Sequence, residues 1–234
     1  MRINKYISET GYCSRREADK LVESGKVTIN GVKAVLGSQA EEGDDVRING
    51  RPLQEKKDTH VYIALNKPVG ITSTTEQHIK GNIVDFVGHS ERIFPIGRLD
   101  KDSEGLILLT SDGDIVNKIL RAEGKHEKEY IVTVDKPVTP SFLTGMSSGV
   151  KILGDMTLPC KVTRISERVF KIILTEGKNR QIRRMCSAFG YEVHRLQRIR
   201  IMNIHLGSLG KGKWRDLTPR EKEELGQLLQ YRLD

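Results

Sequence analysis

The sequence FPIGRLD at residues 94–100 is followed at once by KDSEG at 101–105 and by the apolar run LILL at 106–109. It places Arg98 and Asp100 two residues apart, in a loop that Gly97 and Gly105 flank. The segments on either side are strand-like, because short apolar runs bounded by turn residues are typical of buried strands. A carboxylate beside an arginine in such a loop, within a basic protein, suggests chemistry on a nucleic acid.

Composition indicates a folded protein that binds an anionic partner. The 234 residues can form one good core with a small accessory module. Hydrophobic residues make up 37% of the chain, which argues against intrinsic disorder. Lysine and arginine number 39 against 31 acidic residues, giving a net charge of +8 and a pI near 9.4. This excess favours RNA, DNA or an anionic surface as partner, although a merely basic protein has the same net charge.

The positive charge is concentrated in one segment, residues 178–200, in which Glu192 is the only acidic residue. Its cations are Lys178, Arg180, Arg183, Arg184, Arg195, Arg198 and Arg200. Phosphate contacts made by such a cluster release counterions, so nucleic-acid binding is expected to weaken steeply with salt.

Cysteine usage and hydropathy indicate a cytoplasmic protein. Cys13, Cys160 and Cys186 are widely separated, odd in number and without Cys-x-x-Cys spacing, which favours reduced thiols over a disulfide framework or a zinc site. The apolar runs are all shorter than the ~18 residues of a membrane span. The N-terminus also lacks the apolar core of a signal peptide.

Residues 1–58 are predicted to form a small domain with a linker. A short helix stops near Gly11, and Ser14 with Glu17 forms a capping box for a second helix. The dipeptide Asn30-Gly31 predicts a tight turn between two short strands, and the segment at 43–50 predicts a last strand. The polar segment 51–59 is interpreted as the linker.

Residues 59–234 are predicted to form a second, larger domain of α+β class with a mixed, mainly antiparallel sheet. Strand-like and helical segments occur without strict alternation, which argues against a parallel α/β fold. The predicted strands are 61–65, 106–110, 130–134, 160–165 and 170–175, and the predicted helices are 114–121, 140–147, 180–189 and a terminal helix that Thr218-Pro219 opens.

The residue pattern around Asp100 permits several interpretations. The acids between Asp100 and Gly105 match the first positions of a calcium loop, but the twelfth position is Ser111 instead of glutamate. A glycosidase pair needs a second acid across the substrate, and Asp102 is too close in sequence for that assignment. A structural Asp100 that caps a turn and pairs with Arg98 stays open. The six histidines show no metal-ligand spacing.

Several long motifs occur in order: ALNKPVG at 64–70, GRLD at 97–100, KEY at 128–130, EGKNRQIRRM at 176–185 and RLQR at 195–198. With them the chain resembles the pseudouridine synthases of the ribosomal small-subunit synthase A family over nearly its whole length. The motifs RINKYI at 2–7, SRREA at 14–18 and VTING at 27–31 resemble the αL RNA-binding domain of small-subunit ribosomal protein four. The resemblance implies a small RNA-binding domain followed by a catalytic domain of pseudouridine synthase type.

The resemblance implies that Asp100 is the nucleophile of an isomerisation. The N1–C1′ bond of a uridine breaks, the uracil turns, and C5 is joined to C1′. A carboxylate can add to C1′ or to C6 of the base and leave again, and both attacks stay open. The product is an isomer, so no cofactor, metal or ATP is expected.

The family's other site residues fall on matching positions of this chain. Arg183 is expected to pair with Asp100, since a cation at contact distance favours the ionised carboxylate; a phosphate contact is the alternative. Tyr130 is expected to stack on the target base and Leu196 to form the opposite apolar wall, although both would also suit a plain core. Arg98 is expected to fill the space left by an everted uridine, unless it pairs with Asp100 instead.

The remaining predicted contacts are with the RNA backbone. Lys67 and Arg180 are expected to bind it near the site, and Arg15 and Arg16 to point at a phosphate from a helix N-terminus. The expected partner is large-subunit (23S) ribosomal RNA, with small-subunit or transfer RNA as alternatives, and the protein is expected to be a monomer. A noncatalytic RNA-binding assembly factor is the rival from another class.

Overall fold

The computed structural model describes residues 1–54, 59–121 and 126–234. The N-terminal domain begins with two helices, α1 (Ile3–Glu9) and α2 (Arg15–Glu23). Its sheet has the order β2-β1-β3-β4, with strands β1 (Val27–Ile29), β2 (Val32–Lys33), β3 (Val46–Ile48) and β4 (Arg51–Pro52). The predicted two helices and small sheet are confirmed. The linker prediction is wrong for residues 51–52, which pair with β3, and its residues 55–58 lie outside the described part of the chain.

Local chemistry explains how this small domain folds. The Ser14 hydroxyl accepts a hydrogen bond from the Glu17 amide at 3.2 Å, and the Glu17 carboxylate accepts one from the Ser14 amide at 2.8 Å. Such a capping box stabilises a helix start by about 1 kcal/mol. Asn30 and Gly31 have φ of 50° and 81°, which is the geometry of a type I′ hairpin turn. Apolar side chains of the two helices and the sheet form a core of their own.

The larger domain contains the other described elements, which are, in chain order, β5 (Tyr62–Lys67), α3 (Ile83–Val87), β6 (Phe94–Pro95), β7 (Glu104–Thr110), α4 (Gly113–Leu120), β8 (Lys128–Val134), α5 (Pro140–Ser147), β9 (Lys151–Ile152), β10 (Asp155–Met156), β11 (Lys161–Ser166), β12 (Val169–Leu174), α6 (Gln181–Ala188), β13 (Val193–Ile201), β14 (Ile204–His205), β15 (Trp214–Asp216) and α7 (Pro219–Leu229). Its main sheet has the strand order β11-β12-β8-β13-β7-β5-β15, with β14 beside β13 and β6 beside β7.

This sheet is mixed and mainly antiparallel, as predicted. β13 runs parallel to β7, and the other strand pairs of the sheet are antiparallel. The sequence analysis missed β13, the strand that joins the two halves of the sheet. Its many cations favoured an interpretation as an exposed basic segment. In addition, register shifts at 193–195 and 198–200 disturb the alternation of buried and exposed residues that is expected of a strand.

The core lies on both faces of the sheet. Every residue of β5 and β7 is buried. Leu106 and Leu108 pack with α4 and α7 on one face, and Ile107 and Leu109 pack with α3 and Leu99 on the other. Because Leu99 immediately precedes Asp100, this second cluster anchors the loop that carries the predicted nucleophile.

Candidate active site

A cavity of about 500 Å³ opens where the loop before β7 meets β8, β13 and the loop before α6. Five residues that the sequence analysis singled out line it together: Arg98, Asp100, Tyr130, Arg180 and Leu196. The cavity therefore gathers side chains from four separate motifs of the chain. Arg183, Lys67, Arg15 and Arg16 are not among its lining residues.

Asp100 lies at the surface of the cavity in a tightly held loop. Its carbonyl oxygen accepts a hydrogen bond from the Ser103 amide at 3.0 Å. The preceding residue, Leu99, is tied by its amide and its carbonyl to the buried hydroxyl of Ser73, at 3.2 and 2.8 Å. The Asp100 side chain is 34% exposed, and its carboxylate lies 3.6 Å from Nη1 of Arg180. A carboxylate in this position is both accessible and held in place.

Asp102 is the strongly paired acid of the loop. Its two carboxylate oxygens accept hydrogen bonds from Nη1 and Nη2 of Arg180 at 2.9 and 2.8 Å. These bonds, with the nearby charge of Arg183, hold the pKa of Asp102 below its usual range. Two carboxylates in the same loop therefore differ in environment, and Asp100 is the one that lines the cavity.

The predicted pairing of Arg183 with Asp100 is wrong in this structure, since the ion pair of Asp100 is made by Arg180. Arg183 instead donates to the carbonyl oxygen of Asp102 at 2.9 Å and to Oγ of Ser103 at 3.2 Å. Arg180 directly precedes α6 with a φ of 49°, in the left-handed region, and its side chain reaches both acids of the loop. Arg183 lies on α6 and holds the backbone two residues beyond Asp100.

Tyr130 and Leu196 supply apolar surface to the cavity from neighbouring strands. Tyr130 of β8 and Leu196 of β13 are 8% and 6% exposed. The strands are hydrogen-bonded, with Tyr130 opposite Arg198 and Leu196 opposite Val132. An aromatic ring and an aliphatic side chain on one cavity can accept the two faces of a flat base.

Arg98 is exposed at the edge of the cavity. Within the described residues it makes no hydrogen bond or ion pair, so the alternative in which it pairs with Asp100 is not adopted. A planar guanidinium without a partner can stack and donate hydrogen bonds at once.

Lys67 requires a correction, because it is fully buried and lies out of reach of an RNA backbone. Its ammonium donates to the carbonyl oxygens of Pro68 and Ile71, both at 2.9 Å. Burial lowers the pKa of Lys67 to about 8, although the charges of Asp102 and Asp100 act in the opposite direction. The cause of the error is that β5 is covered on both faces. Lys67 stabilises the turn at 68–71, whose Gly70 amide donates to Lys101 at 2.7 Å.

Two cations of the cavity, Arg198 and Lys128, were not predicted as site residues, although Arg198 belongs to the basic segment 178–200 and Lys128 to the KEY motif. Arg198 is 4% exposed, and its guanidinium carbon lies 6.0 Å from the ring centroid of Tyr130. Its Nε donates to the Leu106 carbonyl at 2.7 Å, while Nη2 is buried without a partner among the described residues. The signal was present, since Arg198 follows Leu196 by two positions and Lys128 precedes Tyr130 by two. Residues at this spacing share one face of a strand.

Arg15 and Arg16 lie in the first turn of α2 and are exposed. Neither makes an ion pair within the residues that the structure describes. The helix start therefore presents two free cations to solvent, outside the cavity.

Other kinds of site are not found in the described segments. No group of three or more histidine, cysteine, aspartate or glutamate side chains there is arranged to hold a metal ion. Across the same segments, no helix has the length and apolar character needed to cross a membrane. The three cysteines are free thiols.

Comparison with known proteins identifies the class to which this arrangement belongs. The family model described as RNA pseudouridylate synthase matches residues 61–188, and the S4 domain model matches residues 1–46. The chain thus joins an RNA-binding domain to an RNA-modifying enzyme domain, as the motifs predicted.

Individual relatives extend this match over the whole chain. The Dual-specificity RNA pseudouridine synthase RluF of Salmonella typhi is 60% identical over 98% of this chain and 80% of its own length. The enzyme of the same name from Escherichia coli K12 is 58% identical over the same shares. Ribosomal large subunit pseudouridine synthase B of Bacillus subtilis is 35% identical over 98% of this chain and 97% of its own length.

A solved structure entitled "Crystal structure of pseudouridylate synthase" is 30% identical and covers 96% of this chain and 99% of its own, with a TM-score of 0.71. This chain belongs to the RNA pseudouridylate synthase family and is an RNA pseudouridine synthase of the RluF type. The predicted family, enzyme class and RNA substrate are confirmed.

Proposed function

We propose that this enzyme converts a uridine of large-subunit ribosomal RNA to pseudouridine with Asp100 as nucleophile. The observation that carries the proposal is the position of the Asp100 carboxylate. It lies partly exposed on the cavity, 3.6 Å from the Arg180 guanidinium, in a loop held by Ser73 and Ser103. Tyr130 and Leu196 line the same cavity.

The chemistry requires a carboxylate that can bond to the substrate and leave again. Attack at C1′ displaces the base from the ribose, while attack at C6 forms an adduct with the base before the N1–C1′ bond breaks. In either course the uracil turns and C5 becomes bonded to C1′. The proton on C5 is then lost, and N1 gains one. The accessible side chain of Asp100 suits both courses.

The cavity supports binding of a base that has left its helix. Eversion of a nucleotide costs a few kcal/mol. Stacking on an aromatic ring returns about 1–3 kcal/mol per base, and Tyr130 with the apolar wall of Leu196 provides such a site. Arg98, exposed and unpaired at the edge, is placed to occupy the space left in the RNA. Arg180 is bound to Asp102 and lies 3.6 Å from Asp100, so its charge acts first on the two carboxylates of the loop.

The identity of the RNA substrate is inferred from the relatives and from the N-terminal domain. The B synthase of Bacillus subtilis is named for the large ribosomal subunit. The RluF enzymes are named as dual-specificity, which favours a second RNA substrate of this chain, with transfer RNA as the candidate. Arg15 and Arg16 supply phosphate contacts at the start of α2. We propose that the activity takes place in the cytoplasm, where the bacteria that carry these relatives keep their ribosomal RNA. We also propose that the active protein is a monomer.

Release of hydrogen from C5 tests the proposal directly. RNA labelled with tritium at uridine C5 should release label to water with the native protein. Asp100→Asn should bind the RNA comparably and lower the rate by at least about 10⁴-fold, because the amide is not a usable nucleophile. Asp216→Asn, on the exposed strand β15, serves as the matched control and should keep full activity. Turnover by Asp100→Asn would contradict the nucleophile.

The identity of the RNA substrate is tested separately, by locating pseudouridines in cellular RNA. Pseudouridine positions in bulk RNA from cells with and without the protein should differ at a site in large-subunit RNA. A difference confined to small-subunit RNA would overturn the assignment while leaving the chemistry intact.

A further inference from the structure

A row of residues crosses the sheet beneath the cavity. The strand register places Tyr130 of β8 beside Arg198 of β13, Arg198 beside Gly105 of β7, and Gly105 beside Lys67 of β5. Three of these four positions carry a ring or a cation, and the fourth has no side chain. The positive charges of this row are therefore built into the sheet itself.

Gly105 is required for this arrangement. Its φ is 104°, and a Cβ at this position would lie 2.2 Å from the carbonyl oxygen and 2.8 Å from the amide nitrogen of Arg198. Any other residue would force β7 and β13 apart at the point where they run parallel. The close approach fixes the backbone of Arg198 under the cavity.

The guanidinium of Arg198 has no carboxylate partner among the described residues. Its Nε is bound to a neutral carbonyl, and its Nη2 is buried without a hydrogen bond. The nearby acid of β7, Glu104, is already paired with Arg195 and Lys211. Buried charges are normally paired, so an unpaired one beside a binding cavity indicates a partner that arrives with the substrate.

Lys128 adds a second cation to the same cavity. It is half-buried, lines the cavity and lies two positions before Tyr130 on β8. Burial and then the charge of Arg198 lower the pKa of Lys128, which shows that the two cations act on one another. Two such cations without a carboxylate between them favour a bound anionic or strongly electron-rich group.

We propose that Arg198, assisted by Lys128, contacts the carbonyl oxygens of the everted uracil and stabilises the negative charge that the base acquires during the reaction. This inference rests on the proposed function. Arg198 is 4% exposed and lies beside the Tyr130 ring, whereas Arg98 and Arg180 of the same cavity are exposed. Its position therefore favours the base over the backbone as its partner.

The charge arises whichever atom Asp100 attacks. When the N1–C1′ bond breaks, its electron pair stays on N1 and spreads to O2 and O4, while C1′ is bonded to the Asp100 carboxylate. When the carboxylate adds to C6, the electron pair of the C5–C6 double bond moves toward C5 and O4. In the first course C5 attacks C1′ and displaces the carboxylate of Asp100. In the second course the N1–C1′ bond breaks, C5 bonds to C1′, and the carboxylate leaves C6 as the C5–C6 double bond forms again. In both courses the C5 proton is lost and N1 gains a proton. A cation at the carbonyl oxygens stabilises each anionic stage.

The test compares rate with affinity in four variants. Arg198→Met removes the charge at similar length, and Arg198→Lys keeps the charge. Lys128→Met removes the second cation and leaves Arg198 untouched. Lys161→Met on β11 is the control, because Lys161 is exposed and does not line the cavity. Thermal unfolding, RNA dissociation constants and single-turnover tritium release at saturating RNA are measured for each.

Arg198→Met should lower the single-turnover rate about 100-fold or more, the usual effect of removing one charge-stabilising donor, with RNA affinity changed less than about 3-fold. Arg198→Lys should recover about a tenth of native activity, and Lys128→Met should lose about 10-fold. The control should keep its rate. If Arg198→Met fails to fold, the other two cavity variants decide the question.

Two results would overturn the inference with the native enzyme still active. A rate for Arg198→Met close to native would show that the charge is not used. A loss of RNA affinity that accounts for the whole loss of activity would make Arg198 a phosphate contact instead. If the native protein released no tritium, the proposed function would fail first, and the inference with it.

Discussion

Arg15 and Arg16 of the N-terminal domain are exposed and unpaired within the described residues, whereas Arg180 and Arg183 of the larger domain are held by Asp102 and its neighbours. We propose that Arg15 and Arg16 contribute to RNA affinity and that Arg180 and Arg183 contribute to the rate of the reaction. Cations that bind a polyanion gain binding free energy by releasing its counterions, and this does not require that the side chain be held in one geometry. Groups that take part in chemistry must be held in one geometry before the substrate arrives. The contrast separates affinity from rate, and each can be changed alone.

The largest effect that tests this contrast is expected at Arg183. Arg183→Gln should lower the single-turnover rate about 100-fold, because it releases the backbone beside Asp100 and a shift of about 1 Å there is enough. RNA affinity should stay near native. Single-turnover tritium release and a binding titration measure the two quantities.

Arg184 offers the matched control for this variant. It lies on the same helix, and among the described residues it donates only to the backbone and side chain of Asn179, so Arg184→Gln should keep the rate. If Arg183→Gln lost RNA affinity and kept its rate, the division between the two groups of arginines would be wrong.

Removal of residues 1–58 is the next largest change. The core of the N-terminal domain draws its members from residues 3–53, and the other clusters begin at residue 61. The larger domain should therefore stay folded, losing the ion pair of Lys5 with Asp114, which as a surface pair is worth at most about 1 kcal/mol. RNA affinity should fall about 100-fold at moderate salt.

Calorimetry and a binding titration check this prediction. A truncated protein that unfolds at a much lower temperature would show that the two domains stabilise each other. A truncated protein that binds as well as the full chain would remove the proposed role of the S4 domain.

The buried cation Lys67 should make the stability of the protein depend on pH. Its pKa is about 8 in the folded protein and 10.5 in a free lysine, so the unfolded chain binds more protons between these values. Stability therefore rises with pH from 8 to 10.5, by up to about 3 kcal/mol from this group. Below pH 8 the folded protein carries the full cost of a charged Lys67.

Urea unfolding across this pH range should show the rise in the native protein. Lys67→Met should lack that part of the rise, whatever its absolute stability. If the free energy of unfolding rose equally with pH in the two proteins, the rise could not be due to the burial of a charged Lys67.

The smallest effect is expected from the free arginines. Arg15→Ala with Arg16→Ala should weaken RNA binding about 10-fold and reduce the slope of log affinity against log salt by about 1.5, since each lost phosphate contact contributes about 0.7–0.9. The rate at saturating RNA should not change. Arg47→Ala is the control, because Arg47 is exposed but already paired with Asp45. A reduced rate at saturation would break the separation between affinity and catalysis.

Sequence reasoning recovered the domain order, the sheet class and the five residues that meet at the cavity, because these depend on local motifs and on the family resemblance. It failed where long-range packing decides. Lys67 reads as a surface cation until β5 is seen to be covered on both faces. Arg180 and Arg183 are three residues apart, and only the left-handed conformation of Arg180 shows which of them pairs with Asp100. Arg198 was hidden within a strand whose charges resembled an exposed basic patch.

The single hydroxyl of Ser73 joins two segments that are distant in the chain, because it both donates to and accepts from the backbone of Leu99. The Leu99 amide should consequently exchange with deuterium only when the 71–74 segment detaches as well. Opening of the loop that carries Asp100 is thereby coupled to opening of the turn at 71–74. Replacing Ser73 with alanine would leave the chemistry in place while letting that loop open independently.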